Sequence, residues 1–296
     1  MFRILLALSL GLAVQAQTSQ SPPSGLLVST DQLAARMQDP ALVLLHVGDR
    51  ESTFSEGHIS GARFLPYGAF AVNGDGDIGS ELPPIDELKR VFESVGVSDT
   101  SRIVLYGSSP VAAARAFFTL DAIGHPRVAL LDGGLTAWRA EGRAIEKGEP
   151  AGAETGRFNP RLNAERIADA AFIQQRLATN GLALLDIRPD PEYLGTDSGM
   201  GGRHAVGHIA GAQQLPWNTL VQKDGRFLPR EELDAKLRGA GATSGKPVVS
   251  YCMVGMRASV AYFVARYLGF DARLYDGSIM DWTRRKLPTT TGRETR

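Results

Sequence analysis

A chain of 296 residues, 43% of them hydrophobic, carries enough apolar material for a sizeable core, and 32 basic residues balance 32 acidic ones. With that balance and no long basic run, nucleic acid and membrane surfaces are poor partners. The single cysteine excludes an internal disulfide, so stability must come from packing.

The chain opens with a short basic segment, Met1-Phe2-Arg3, followed by an apolar run of 11 residues from Ile4 to Val14. That run is shorter than the roughly 20 residues needed to span a bilayer. With the small residues of Val14-Gln15-Ala16 it predicts a signal peptide over residues 1–16, cleaved before Gln17. The expected compartment is the periplasm or the exterior, with no stable membrane association after cleavage. Residues 17–25 are Ser-, Pro- and Gln-rich and predict a flexible lead-in.

The remaining roughly 270 residues suit two domains of about 130 each. An internal repeat supports the division. Leu42-Val43-Leu44-Leu45-His46-Val47 matches Leu182-Ala183-Leu184-Leu185-Asp186-Ile187, each a buried-strand run. Gly57-His58-Ile59-Ser60-Gly61-Ala62 matches Gly207-His208-Ile209-Ala210-Gly211-Ala212. Arg102 to Tyr106 matches Pro247 to Tyr251, and Leu131-Asp132-Gly133-Gly134 with Trp138 matches Tyr275-Asp276-Gly277-Ser278 with Trp282. Equivalent positions lie 140 to 150 residues apart, so one domain is duplicated. Alternating strand-like and helical runs predict an α/β fold in each copy, a mostly parallel sheet flanked by helices. The expected domains are 26–145 and 161–290, joined by a Gly- and Pro-containing linker over 146–160.

Duplication supplies an internal control: a feature in both copies marks a fold requirement, and a feature in one copy marks chemistry. His58 and His208 therefore read as structural, Asp132 and Asp276 as turn formers, and Trp138 and Trp282 as core. Cys252 has no such twin. Its counterpart is Gly107, in a loop with neither thiol nor arginine. Cys252 follows Val248-Val249, the end of a predicted strand, and precedes a predicted helix over Ala258 to Leu268 stopped by Gly269. Between them lie Met253, Val254, Gly255, Met256 and Arg257. A thiol at this turn faces backbone N–H groups and the positive end of a helix dipole, both of which favour the thiolate, and Arg257 adds a fixed positive charge.

Two copies of Gly-His-Ile-x-Gly-Ala and of Asp-Gly-Gly/Ser…Trp, with Cys-x-x-Gly-x-Arg in the second alone, resemble a tandem-domain rhodanese, a sulfurtransferase. The resemblance covers about Val28 to Leu287. It implies two rhodanese-like domains, the first without a catalytic cysteine. It also implies that Cys252 takes sulfane sulfur from a donor such as thiosulfate or 3-mercaptopyruvate as a persulfide, then passes it to cyanide or a thiol. Arg257 and the 253–256 loop would hold the anion. The resemblance requires no metal or organic cofactor, and a monomer is expected. Two departures stand out: Val254 occupies a position often basic in thiosulfate-preferring members, and the arginine pair of the mercaptopyruvate-preferring branch is reduced to Arg188. Arg188 is the expected grip on a donor carboxylate, oriented by Asp186, with surface pairing to Asp190 or Glu192 as the competing role. Arg203 is a possible second grip, and Trp217 a pocket wall or ordinary interdomain packing.

Rival classes fare less well. A cysteine phosphatase closes five residues between Cys and Arg around phosphate, and here only four intervene. Arsenate reduction meets the same objection. A sulfur carrier or redox sensor, with Cys252 modified without turnover, differs only in lacking a donor pocket.

Overall fold

The computed structural model describes residues 25–48, 50–74, 79–149, 152, 154–197 and 207–293. The expected signal peptide, nearly all of the lead-in and Arg203 lie outside the described residues. Among the described residues, no helix is long and apolar enough to cross a membrane.

The first copy contains strands β1 (Leu27–Val28), β2 (Leu42–Gly48), β3 (His58–Ile59), β4 (Arg63–Pro66), β5 (Arg102–Tyr106), β6 (Val128–Leu131) and β7 (Ile145–Glu146). Its helices are α1 (Thr30–Ala34), α2 (Glu51–Glu56), α3 (Ile85–Ser94), α4 (Pro110–Ala122) and α5 (Gly134–Ala140). The second copy contains β8 (Ile167–Ala168), β9 (Ala183–Asp186), β10 (His208–Ile209), β11 (Gln213–Gln214), β12 (Val248–Tyr251), β13 (Ala272–Tyr275) and β14 (Thr289–Thr290). Helices α6 (Ala170–Leu177), α7 (Asp190–Leu194), α8 (Arg230–Gly239), α9 (Ala258–Leu268) and α10 (Ser278–Arg284) flank them.

Each copy builds one all-parallel, five-stranded sheet, ordered β1-β6-β5-β2-β4 and β11-β9-β12-β13-β8. Strands β2, β5, β9 and β12 read as continuous apolar runs because helices cover both faces. Two short antiparallel pairs, β3 with β7 and β10 with β14, close the edges of the copies.

The paired landmarks have paired structural jobs. His58 stacks on Phe54, and His208 stacks on Tyr193, each at 3.7 Å between ring centroids. Tyr106 and Tyr251, at the ends of the central strands, accept the amide hydrogens of Ile59 and Ile209 at 3.0 and 3.1 Å. Trp138 and Trp282 each donate an indole N–H to a backbone carbonyl, of Ala144 and Pro288, at 2.9 Å. These contacts orient the same turns in both copies, as the repetition predicts.

The copies meet along α4 and α9. Helix α4 starts where Ser109 caps the Val111 amide and Pro110 fills a position that needs no N–H donor. It is buried nearly all round, which marks a central helix. Phe117 meets Phe263, and Phe118 meets Tyr262, both at 5.0 Å between centroids. Truncating any of these aromatics to alanine would cost about 3–5 kcal/mol. Asp121 of α4 accepts from Tyr262 and Arg266 at 2.5 and 2.7 Å, satisfying a polar seam beside the rings. The connecting segment is tied down as well: Phe158 is buried, and Gly156 runs so close to Val97 that a β-carbon there would lie 1.9 Å from its carbonyl oxygen.

Candidate active site

Strand β12 ends at Tyr251, and the chain turns sharply at Cys252. Its amide donates to Ser278 Oγ at 3.1 Å, and its carbonyl accepts from Ile279 N–H at 3.2 Å. Ser278 Oγ in turn donates to Tyr275 O at 2.8 Å. Cys252 is thus fixed by the turn after β13, not by its own loop alone. Ser278 sits at φ 52°, a left-handed conformation that costs a non-glycine residue about 1–2 kcal/mol. The first copy has Gly134 there at φ 53°, where a β-carbon would lie 2.5 Å from the Gly107 oxygen. The thiol-bearing copy alone places a hydroxyl at this point.

After Cys252 the loop curls through Gly255 at φ 81°, where a β-carbon would lie 2.6 Å from Asp276 O. Helix α9 then begins, and the left-handed Gly269 ends it as predicted. Among the described residues, the amides of 253–257 donate to no acceptor. Cys252 and Met253 are buried, whereas Val254, Met256 and Arg257 are partly exposed and form the rim. The Arg257 guanidinium makes a two-point contact with Glu192, Nη1 to Oε1 at 2.7 Å and Nη2 to Oε2 at 2.8 Å. Burial pulls its pKa down, and Glu192 together with the neighbouring Cys252 sulfur more than restores it, so the net shift is upward. Arg257 is therefore a cation held beside the thiol by a carboxylate from α7.

Arg188 and Asp186 are both fully buried. Arg188 Nε and Nη2 reach Asp186 at 2.9 and 2.6 Å, and Nη2 also donates to Gly207 O at 2.8 Å. Asp186 thus orients Arg188, one of the roles anticipated for it. For the expected grip on a donor carboxylate Arg188 has little left to offer: two of its three guanidinium nitrogens are spent inside the domain, and Nη1 is buried with no hydrogen-bond partner among the described residues. The alternative surface pairing does not hold either, because Glu192 serves Arg257 and Asp190 takes Arg293. Trp217 packs, partly buried, against the main core cluster.

The first copy also reaches this site. Leu82 N–H donates to Asp276 Oδ2 at 2.8 Å, and Arg115 Nη1 donates to Asp276 Oδ1 at 2.5 Å. The arrangement is reciprocal, since Phe227 N–H of the second copy donates to Asp132 Oδ1 at 2.9 Å. Asp132 and Asp276 are therefore interdomain fasteners as well as turn formers. Tyr67 donates to Ser80 Oγ at 2.7 Å. Burial pushes its hydroxyl pKa up; Arg115 and the Ser80 hydrogen bond pull it down, and Cys252 and Asp276 add smaller upward pushes. The sequence reading did not single out Tyr67, Arg115 or Ser278. The serine alone left a signal, as the one departure within Asp-Gly-Gly/Ser.

The match to known families decides the relationship. The Rhodanese-like domain family matches twice, at residues 29–141 and 169–285. The chain belongs to the rhodanese family. It is 36% identical over 288 residues to a probable 3-mercaptopyruvate sulfurtransferase of Pseudomonas aeruginosa, covering 91% of this chain and 99% of that one. It is 33% identical to the sulfur carrier protein TtuD of Thermus thermophilus, covering 86% of this chain and 93% of that one. It is 30% identical to a thiosulfate sulfurtransferase of Azotobacter vinelandii, covering 87% and 93%. The crystal structure of the 3-mercaptopyruvate sulfurtransferase SseA from Escherichia coli superposes with a TM-score of 0.76 at 25% identity, covering 86% of this chain and 99% of that one. This rhodanese is a tandem-domain sulfurtransferase enzyme.

Proposed function

We propose that the enzyme moves sulfane sulfur through a persulfide on Cys252, from thiosulfate or 3-mercaptopyruvate to cyanide or a thiol. The observation that carries this is the single thiol at the end of β12, beside Arg257 and followed by five amides that have no acceptor among the described residues. With thiosulfate, the Cys252 thiolate attacks the outer sulfur. A new S–S bond forms, the old one breaks, and its electron pair leaves on sulfite. With 3-mercaptopyruvate the thiolate attacks the substrate sulfur, the C–S bond breaks onto carbon, and the resulting enolate takes up a proton to give pyruvate. Cyanide then attacks the terminal sulfur, yielding thiocyanate and regenerating the thiolate. Splitting the transfer into two displacements is ordinary nucleophilic catalysis. The amides of 253–257 and Arg257 supply preorganised positive charge where the persulfide anion develops.

Steady-state thiocyanate formation tests the reading. Wild-type protein should turn over many times, and Cys252→Ser should reduce the rate to that of buffer. Full activity in the serine variant would refute it. A second reading, a carrier loaded once without turnover, draws support from the likeness to the sulfur carrier protein. It predicts a single equivalent of thiocyanate per chain. The expected setting is export as a monomer, cleaved before Gln17, supported by the basic start and the apolar run of the leader.

A further inference from the structure

We propose that Arg115, on the copy that lacks the thiol, binds the oxyanion end of the sulfur donor, the sulfonate of thiosulfate or the carboxylate of 3-mercaptopyruvate. The proposal rests on sulfur transfer at Cys252 and assigns its donor site. Arg115 is fully buried at the domain seam. Its Nη1 donates to Asp276, the residue two positions before the serine that holds the Cys252 amide. Its Nε and Nη2 are also buried, and they have no hydrogen-bond partner among the described residues. A guanidinium presents its donors in a rigid fork that matches a carboxylate or another planar pair of oxygens. Burying two of its nitrogens without a protein partner carries a desolvation cost that a bound anion would recover.

The placement fits the donor site. A β-carbon on Gly255 would lie 3.2 Å from Arg115 Nη1, so the guanidinium touches the loop that carries the thiol. The Tyr67 hydroxyl feels the charges of both Arg115 and Cys252, so all three share one neighbourhood. Arg257 is held by Glu192 at the partly exposed rim, while Arg115, its guanidinium over the Phe118 ring at 5.0 Å, keeps Nε and Nη2 unbonded among the described residues. Arg188, the sequence's own candidate for this task, has Nε and Nη2 committed to Asp186 and Gly207 and only Nη1 unbonded among the described residues, so it lacks the two-nitrogen fork that Arg115 keeps.

The duplication supplies a control. Matching Gly107 with Cys252, Phe118 with Phe263 and Gly124 with Gly269 sets Arg115 opposite Val260. The thiol-less copy brings an arginine against the live loop, at a position where the live copy carries a valine. Fastening is shared by both sides, through Leu82 with Asp276 and Phe227 with Asp132. Each side also sends an arginine across, Arg115 to Asp276 and Arg226 to Glu141, but Arg115 alone of the two is fully buried with Nε and Nη2 unbonded among the described residues.

The test compares Arg115→Gln, Arg115→Lys and Asp276→Asn with wild type, using thiosulfate and 3-mercaptopyruvate separately, with melting curves for every variant. Arg115→Gln should raise KM by about tenfold or more while kcat changes less than about threefold, and the lysine variant should recover part of the loss. Asp276→Asn frees Nη1 from its carboxylate and should leave KM unchanged or lower it. A KM rise with either donor supports the assignment, and the larger rise names the anion. An unchanged KM in Arg115→Gln, or equal rises in Arg115→Gln and Asp276→Asn that track lost melting temperature, would make Arg115 a fastener only. Wild-type protein that transfers no sulfur from either donor would instead sink the underlying reading at Cys252.

Discussion

Asp186→Leu would leave the Arg188 guanidinium charged, fully buried and without its main partner. Both side chains are 0% exposed, so solvent screening does not soften the loss. Breaking a buried pair by removing one partner costs about 3–5 kcal/mol. At roughly 2–4 °C per kcal/mol for a unit of this size, the melting temperature should fall by roughly 6–20 °C. Arg188→Met should cost a similar amount by stranding the carboxylate. The double variant Asp186→Leu/Arg188→Met removes both charges and should recover more than half of either loss, because a buried ion pair can often be replaced by apolar residues near neutrally. Urea melts of the four proteins close the cycle, and donor KM is measured on the double variant. If Arg188 is structural, the double variant folds with a near-normal KM. Additive losses in stability, or a large KM rise in a stable double variant, would refute the assignment and return Arg188 to the donor site.

Three further outcomes follow from the same geometry. Ser278→Ala leaves the buried Cys252 amide without an acceptor, an expected cost of about 1–3 kcal/mol, and should slow sulfur transfer more than Thr219→Ala on the surface, read by thiocyanate formation. Glu192→Gln loosens the two-point hold on Arg257 and should lower kcat/KM by about tenfold, a loss of about 1.4 kcal/mol, with little change in melting temperature; an unchanged rate would remove Glu192 from the site. Burial, with help from His58 and Arg139, lowers the pKa of His46 to about 4 from 6.5. A depressed value means the neutral ring is favoured in the folded state, so its contribution is intact above about pH 6.5 and is lost as pH falls toward 4. In urea melts between those pH values, His46→Phe should flatten the decline by a few kcal/mol, whereas an unchanged slope would place acid sensitivity elsewhere.

The features legible in the sequence are local. Strand runs, the Gly-His-Ile turn, the Gly269 cap and the paired tryptophans each follow from a few adjacent residues, and the copies check each other. Cys252 was legible because the repeat made its absence from the first copy visible. Asp186 as the partner of Arg188 was legible too, at a separation of two residues. The rest of the site depends on contacts between residues far apart in sequence. Glu192 meets Arg257 across 65 positions, and Arg115 meets Asp276 across 161. Arg115 reads in sequence as one polar residue within an apolar helix, and only the docking of α4 on α9 shows what it faces. Arg188 is the converse case: its charge suggested an open site, and the fold closes around it with Asp186 and Gly207 as partners.

The most direct measurement is the intact mass of the mature protein before donor, after donor and after cyanide, with the modified peptide mapped. The account predicts a gain of about 32 Da, one sulfur atom, on Cys252 and its loss on cyanide addition. A thiol that alkylates readily yet gains no sulfur from thiosulfate or 3-mercaptopyruvate would contradict it.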